Sequence, residues 1–185
     1  FATNQNLNAV IKNGKLVGYN EETIPAKGHD TLTYFHYFSG ALGISKHRDA
    51  DVAWLYTDSS KKFPFASQLP VNFIHDSITN LSWNYVNKKT SIITGYHSGT
   101  SSSFKKWKMK TAIGGGPVLL QNGEINISNN EERKFDGKAI NNHEPRTGIG
   151  YTKDKKLIIL VYQGRSANAA GLSLIQLAKI FKKIP

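Results

Sequence analysis

What most constrains this chain is a repeated switch: short runs of alternating apolar and polar residues are broken, every few positions, by a turn signal. Alternation with period two is the pattern of a half-buried strand, and close-set turns leave room for strands but not for long helices. Two of the turns are Asn-Gly: Asn13-Gly14 between residues 9–11 and 16–17, and Asn122-Gly123 between residues 118–120 and 125–127. Asn and Gly accept the positive φ angles of a two-residue hairpin turn, so both segments are expected to be β-hairpins. Residues 31–38, 51–56 and 91–97, rich in aromatic and β-branched side chains, are further strand candidates. Residues 148–152 and 156–163 are expected to pair across Lys153-Asp154-Lys155. The unbroken apolar run 157–161 predicts a central strand covered on both faces.

One helix stands out. Ser173 offers an N-cap, Gln176 completes a capping box, and Leu174, Leu177, Ala178 and Phe181 repeat at helical spacing. Lys179, Lys182 and Lys183 lie toward its C-terminal end, where cations suit the helix dipole. A helix after a strand and a short loop covers a sheet and leads to another strand. The expected class is therefore α+β: a strand-rich mixed sheet with hairpins and at least one covering helix near the C-terminus. Residues 129–142 are polar and read as a surface excursion. No internal repeat or shift of composition divides the chain, so residues 1–185 read as a single domain.

Charge narrows the partners. Twenty-four Lys and Arg against thirteen Asp and Glu give a formal +11, which favours anionic ligands: phosphorylated substrates, acidic glycans, nucleic acid or a membrane surface. No stretch approaches the run of about 20 apolar residues that spans a bilayer. The absence of cysteine excludes a disulfide framework, a thiolate metal site and a cysteine nucleophile. The six histidines, His29, His36, His47, His75, His97 and His143, show no close pairing of the kind metal sites use, so no metal or other cofactor is called for. The chain opens at Phe1 with no leader pattern, and is read as a processed form or an excised piece.

Several motifs have plain readings. Phe104 and Trp107 among lysines 105, 106, 108 and 110 have the look of a base-stacking strip, but an amphipathic strand with solvated lysines explains the same pattern, and no nucleic-acid signature accompanies it. Nucleic acid is not an expected partner. His47-Arg48-Asp49 lacks the Asn and the glycine-rich loop of a kinase. Asn80-Leu81-Ser82 and Asn126-Ile127-Ser128 fit the glycosylation sequon, a pattern common by chance. Ile113-Gly114-Gly115-Gly116-Pro117 is more specific: glycines entering a strand let a ligand approach the backbone, or else form a bulge that bends the chain.

That segment opens an ordered series. It is followed by Val118 to Gly123, by Pro145-Arg146-Thr147-Gly148-Ile149-Gly150, by the apolar strand running to Arg165, and by Ala170-Gly171-Leu172-Ser173-Leu174 with its helix. The series resembles the phosphodiester glycosidase family over roughly residues 110–184. Upstream, Phe1-Ala2-Thr3-Asn4 is similar to the family's first strand in part, with Gln5 where the family has Gly. Downstream, the resemblance calls for a strand ending in Leu-Asp-Gly-Gly-Gly-Ser, so the domain reads as incomplete at its C-terminus. That segment belongs to a longer chain or a partner, or the site has been lost.

The resemblance implies a hydrolase that cleaves a sugar-1-phosphodiester, acting on an anionic sugar-phosphate substrate in a secreted, periplasmic or cell-surface setting. It implies catalytic roles for Arg146, Thr147 and Asn4, with Arg146 as a phosphate clamp. Gly114, Gly115, Gly116, Gln163 and Arg165 are the implied substrate-binding positions; the family often has Asp where this chain has Gln163. The alternative is a catalytically silent carbohydrate- or polyanion-binding module on the same fold.

Overall fold

The computed structural model describes residues 8–20, 23–25, 33–35, 38–57, 62–70, 74–75, 92–97, 100–132, 134–135 and 140–185, with backbone alone for 23–25, 33–35, 74–75, 92–97 and 100–104. The readings placed on Asn4, on His29 and His36, and on the Asn80 sequon lie outside these residues. The strands run, in chain order, β1 Val10–Lys12, β2 Lys15–Gly18, β3 Thr23–Pro25, β4 Thr33–Phe35, β5 Phe38–Ile44, β6 Ala50–Tyr56, β7 Phe65–Ser67 and β8 Ile74–His75. They continue with β9 Ile92–His97, β10 Thr100–Lys106, β11 Thr111–Gly114, β12 Leu120–Gln121, β13 Glu124–Ile125, β14 Arg146–Tyr151 and β15 Leu157–Tyr162. A short helix α1, Asn129–Glu132, precedes β14, and α2, Leu174–Lys183, follows β15.

Eight strands form one sheet in the order β2-β1-β11-β5-β6-β7-β10-β9; β12-β13 and β14-β15 are two-stranded ribbons, and β3-β4-β8 is a small sheet of three. The class is the α+β one expected from the sequence. Every described pairing is antiparallel, so where the sequence suggested a mixed sheet none of these strands needs the long crossover of a parallel pair.

The local signals hold. Asn13 and Gly14 take φ of 51° and 76°, Asn122 and Gly123 take 53° and 81°, and each pair turns a hairpin. Tyr151 faces Leu157 across the turn at Lys153-Asp154-Lys155, with Lys155 at φ 64°. Ser173 accepts from the Gln176 amide while the Gln176 side chain accepts from the Ser173 amide, closing the capping box. Leu174, Leu177 and Ala178 are buried, and Phe181 lies so close over β14 that a Cβ on Gly148 or Gly150 would come within 2.5 or 2.9 Å of its ring. Among the described residues no helix is long and apolar enough to cross a membrane.

The centre of the fold is elsewhere than the apolar run predicted. β15 pairs with β14 alone among the described strands, and Ile159 and Val161 are 64% and 73% exposed. The strand buried on both faces is β5, with Ser39, Gly40, Ala41 and Gly43 among its residues. Its small side chains make room for large neighbours. A Cβ on Gly43 would meet the Trp107 ring at 2.4 Å, and Gly40 stands opposite Trp54, which is fully buried. An indole buries on the order of 200 Å², which at about 25 cal/mol/Å² contributes roughly 5 kcal/mol. Ala9, Ile11, Ala41, Ala53, Leu55, Ala66, Trp107 and Ala112 pack as one core cluster.

Candidate functional site

Gly114 ends β11 between β1 and β5, where its N–H donates to the Ala9 carbonyl at 2.6 Å and the Gly115 N–H to the Gly40 carbonyl at 3.0 Å. The glycines thus close a strand instead of entering one, and the chain leaves the sheet through Gly116 at φ 117° and a cis bond to Pro117. Two of the three have steric reasons to be glycine: a Cβ on Gly114 would sit 2.8 Å from the Ala9 nitrogen, and one on Gly116 only 2.3 Å from Glu132 Oε2. Gly115 differs, because a Cβ there would find nothing within 4 Å among the described residues and its φ lies outside the left-handed region.

Glu132 holds this loop from the other face of the sheet. It is wholly buried. Oε1 accepts from Trp54 Nε1 at 3.0 Å, Ser128 Oγ at 2.6 Å and the Val118 N–H at 2.9 Å; Oε2 accepts from the Gly40 N–H at 2.8 Å. A carboxylate out of water is tolerated only where such donors replace its hydration. The polar stretch read as a surface excursion is therefore pinned inside at its start, and the sequence reading missed the residue that does it.

Two residues on, Lys134 reaches past Gly116, whose Cβ would lie 3.0 Å from Lys134 Cε. Its Nζ donates to Asn8 Oδ1 at 3.0 Å. Ser39 Oγ is 3.2 Å from the same Asn8 oxygen and donates to the Gly115 carbonyl at 3.0 Å. Asn8, Ser39, Gly115 and Lys134 thus come together from four distant parts of the chain.

Arg146 begins β14 beside this group. Its guanidinium is buried, with Nε donating to the Leu172 carbonyl at 3.1 Å and Nη2 to the Asn142 carbonyl at 3.3 Å, and it lies 5.0 Å over the Phe135 ring. Burial draws its pKa below the ordinary arginine value; Glu144 opposes the fall and Arg165 adds to it. Glu144 Oε2 in turn accepts from Arg165 Nε at 2.8 Å and Nη2 at 2.7 Å. Lys134 and Phe135, neighbours in sequence, therefore link the glycine loop to the arginine corner. Asn129 fixes that link by bonding both the N–H and the carbonyl of Phe135.

Thr147 and Gln163 are exposed on β14 and just past β15, and Arg165 is exposed at φ 58°. Gly164 and Gly171 close the corner: added Cβ atoms would press on Pro145 at 2.7 Å and on the Glu144 backbone at 2.5 Å. His47-Arg48-Asp49 is the β5–β6 turn, organised by Ser45, whose Oγ accepts from the His47 and Asp49 N–H groups. Trp107 covers core and donates to Asp51 at 2.7 Å while Lys105, Lys106, Lys108 and Lys110 stay exposed, as the amphipathic reading expects. No group of three His, Asp or Glu suited to a metal occurs among the described residues.

An antiparallel α+β domain with a glycine loop, a lysine and an arginine corner at one place is the setting in which comparison with known proteins becomes informative. The sequence profile of the phosphodiester glycosidase family matches residues 74–184, more than half of the chain, including the loop, the 128–135 link and the Arg146 strand. The chain belongs to the phosphodiester glycosidase family. The comparisons with curated proteins and with solved structures give no match. Family membership assigns the chain to the glycosidases, within the hydrolases.

Proposed function

We propose that this protein hydrolyses the glycosidic bond of a sugar-1-phosphodiester, with water adding across the bond to release a free sugar and a phosphomonoester. One observation carries the reading: the stretch that the family profile matches supplies the three pieces that meet around Gly116, Lys134 and Arg146. Cleavage of this kind passes through an oxocarbenium-like transition state and needs a fixed cation for the phosphate. Arg146 serves as a positioning residue through Phe135, Thr147 and Arg165 present donors at the corner, and Gly114 to Gly116 shape the approach. The test is release of free sugar from a panel of sugar-1-phosphodiesters. Absence of release from every member at high protein concentration would overturn the reading.

A second reading, binding without hydrolysis, draws on the carboxylates. Glu132 is enclosed and Glu144 is engaged by Arg165, so neither stands open as an acid or base among the described residues. Saturable binding of the same panel without turnover is its signature.

A further inference from the structure

We infer that one end of the eight-stranded sheet, where Lys12, Lys15, Lys46, Arg48 and Lys110 converge, is a binding surface for an acidic glycan chain, a sugar polymer with repeated carboxylate, sulfate or phosphodiester groups. The surface stands apart from the cleavage proposed above: it rests on the formal +11 of the chain and on its place among the glycosidases, and not on the corner around Arg146.

Backbone hydrogen bonds bring these cations together. Lys12 and Lys15 pair across the Asn13-Gly14 turn, and the Gly14 N–H donates to the Lys110 carbonyl at 2.8 Å. The Lys110 N–H donates in turn to the Ile44 carbonyl at 2.9 Å, where β5 enters the turn that carries Lys46 and Arg48. β1, β11 and β5 are neighbours in the sheet, so the cations follow one another in a row at the strand spacing, about 5 Å per strand. All five residues are exposed, and none has a carboxylate partner among the described residues. The nearby carboxylates are engaged elsewhere: Asp49 by Lys155 Nζ at 2.9 Å, Asp51 by Trp107 Nε1 at 2.7 Å and Asp154 by Lys156 Nζ at 2.6 Å. A row of like charges repels itself, and a chain carrying anions in line relieves that repulsion.

The β5–β6 turn gives a second, independent sign. Arg48 takes φ 66°, a conformation that Asn and Gly adopt most readily and that Asn13 and Asn122 occupy in the two hairpins. The Arg48 N–H donates to the Ser45 carbonyl and its carbonyl accepts from Tyr151, whereas its guanidinium has no partner among the described residues. The turn uses only the backbone of Arg48, so the side chain has its purpose outside the fold. Among the described residues no large exposed apolar side chain lies within 12–15, 45–49 or 108–110, which leaves nothing there to enter a membrane or to stack on bases. A linear row suits a linear polyanion, and membership of the glycosidases makes that polymer a carbohydrate.

The test measures binding of the whole chain to polygalacturonate, dextran sulfate and a poly(glycosylglycerol phosphate), which separate the three kinds of anion, with dextran as the neutral control. At least one acidic polymer is expected to bind, with affinity that falls as salt rises, and dextran is not. Lys12→Gln, Lys46→Gln and Lys110→Gln together are expected to weaken binding roughly tenfold, three exposed ion contacts at about two- to threefold each. The same loss of charge at the far ends of β6, β7 and β10, with Lys62→Gln, Lys105→Gln and Lys106→Gln, is expected to change it by less than about twofold. Arg48→Asn suits the positive φ, so it is expected to keep or raise the thermal midpoint while weakening binding about twofold to threefold. The proposal is overturned if no acidic glycan binds, if the two triple replacements weaken binding equally, or if Arg48→Asn binds as tightly as the parent. Tighter binding to a DNA duplex or to phosphatidylglycerol vesicles than to every acidic glycan would overturn it too. Release of sugar separates this surface from the proposed cleavage. An acidic glycan held through Lys12, Lys46 and Lys110 without release of sugar leaves the surface and sinks the enzyme; release from small sugar-1-phosphodiesters with no affinity for any acidic glycan leaves the enzyme and sinks the surface.

Discussion

The region around Glu132 and the corner around Glu144 each hold a carboxylate among backbone groups and cations, but only the first is shut off from water. Glu132 is 0% exposed and accepts from four donors, two of them main-chain N–H groups. Glu144 meets one arginine, and 34% of its side chain remains accessible. The difference is one of enclosure. In the first region every donor is itself buried and has no water to fall back on, so the carboxylate is a structural hub; in the second, water competes with each partner.

Replacing Glu132 with Ala should break the comparison most severely. It strands Gly40 N and Val118 N and leaves Trp54 Nε1 and the Ser128 hydroxyl only long contacts, to Ser128 Oγ at 3.3 Å and to the Val118 carbonyl at 3.4 Å, and the expected loss is about 4 kcal/mol or more, read from the urea midpoint. Glu132→Gln, which keeps the shape but turns one acceptor into a donor, should cost about half of that. Next comes Gly116→Ala: the positive φ and the 2.3 Å approach to Glu132 predict destabilisation, with a magnitude of about 1–3 kcal/mol. If calorimetry found Gly116→Ala neutral, the loop would not be held as tightly as the hub requires.

At the corner, Arg165→Ala removes an ion pair whose arginine is 75% exposed, and a change under about 1 kcal/mol is expected, shrinking further in high salt. A loss as large as that of Glu132→Gln would mean that the two carboxylates are equivalent after all. Smallest is Gly115→Ala, expected to leave the midpoint unchanged or raise it by about 0.4–1 kcal/mol, since a Cβ there meets nothing among the described residues and the unfolded chain becomes stiffer. Placed beside Gly116→Ala, it separates a glycine needed by the fold from one that is not.

Both the hub and the contact between Lys134 and Asn8 were hidden in the sequence for identifiable reasons. Glu132 sits in a run of Asn, Glu, Arg and Lys whose composition belongs to solvent, and the nearby hint, Ser128 ahead of a short helix, says nothing about burial. Lys134 meets Asn8 across a separation of 126 residues. β5 is not among the strands expected from the sequence, because Ser39, Gly40, Ala41 and Gly43 lack the aromatic and β-branched side chains that mark a strand, although their smallness is what lets Trp54 and Trp107 close over them. Conversely, Leu157 to Val161 read as a covered strand, and the structure leaves alternate residues of it exposed.

By itself the sequence determined what depends on a few adjacent residues: the two Asn-Gly hairpins, the turn at Lys153-Asp154-Lys155, the Ser173–Gln176 cap, the strand-rich class, and the ordered series from Ile113 to the final helix. Turns and caps are decided by local φ preferences and by hydrogen bonds spanning three or four positions, so their signals survive in one dimension. Only the tertiary structure decided which strand is central, which carboxylate is enclosed and which lysine meets Asn8. Burial and convergence are properties of elements far apart along the chain, and a glycine or a glutamate carries no local mark of what will be packed against it.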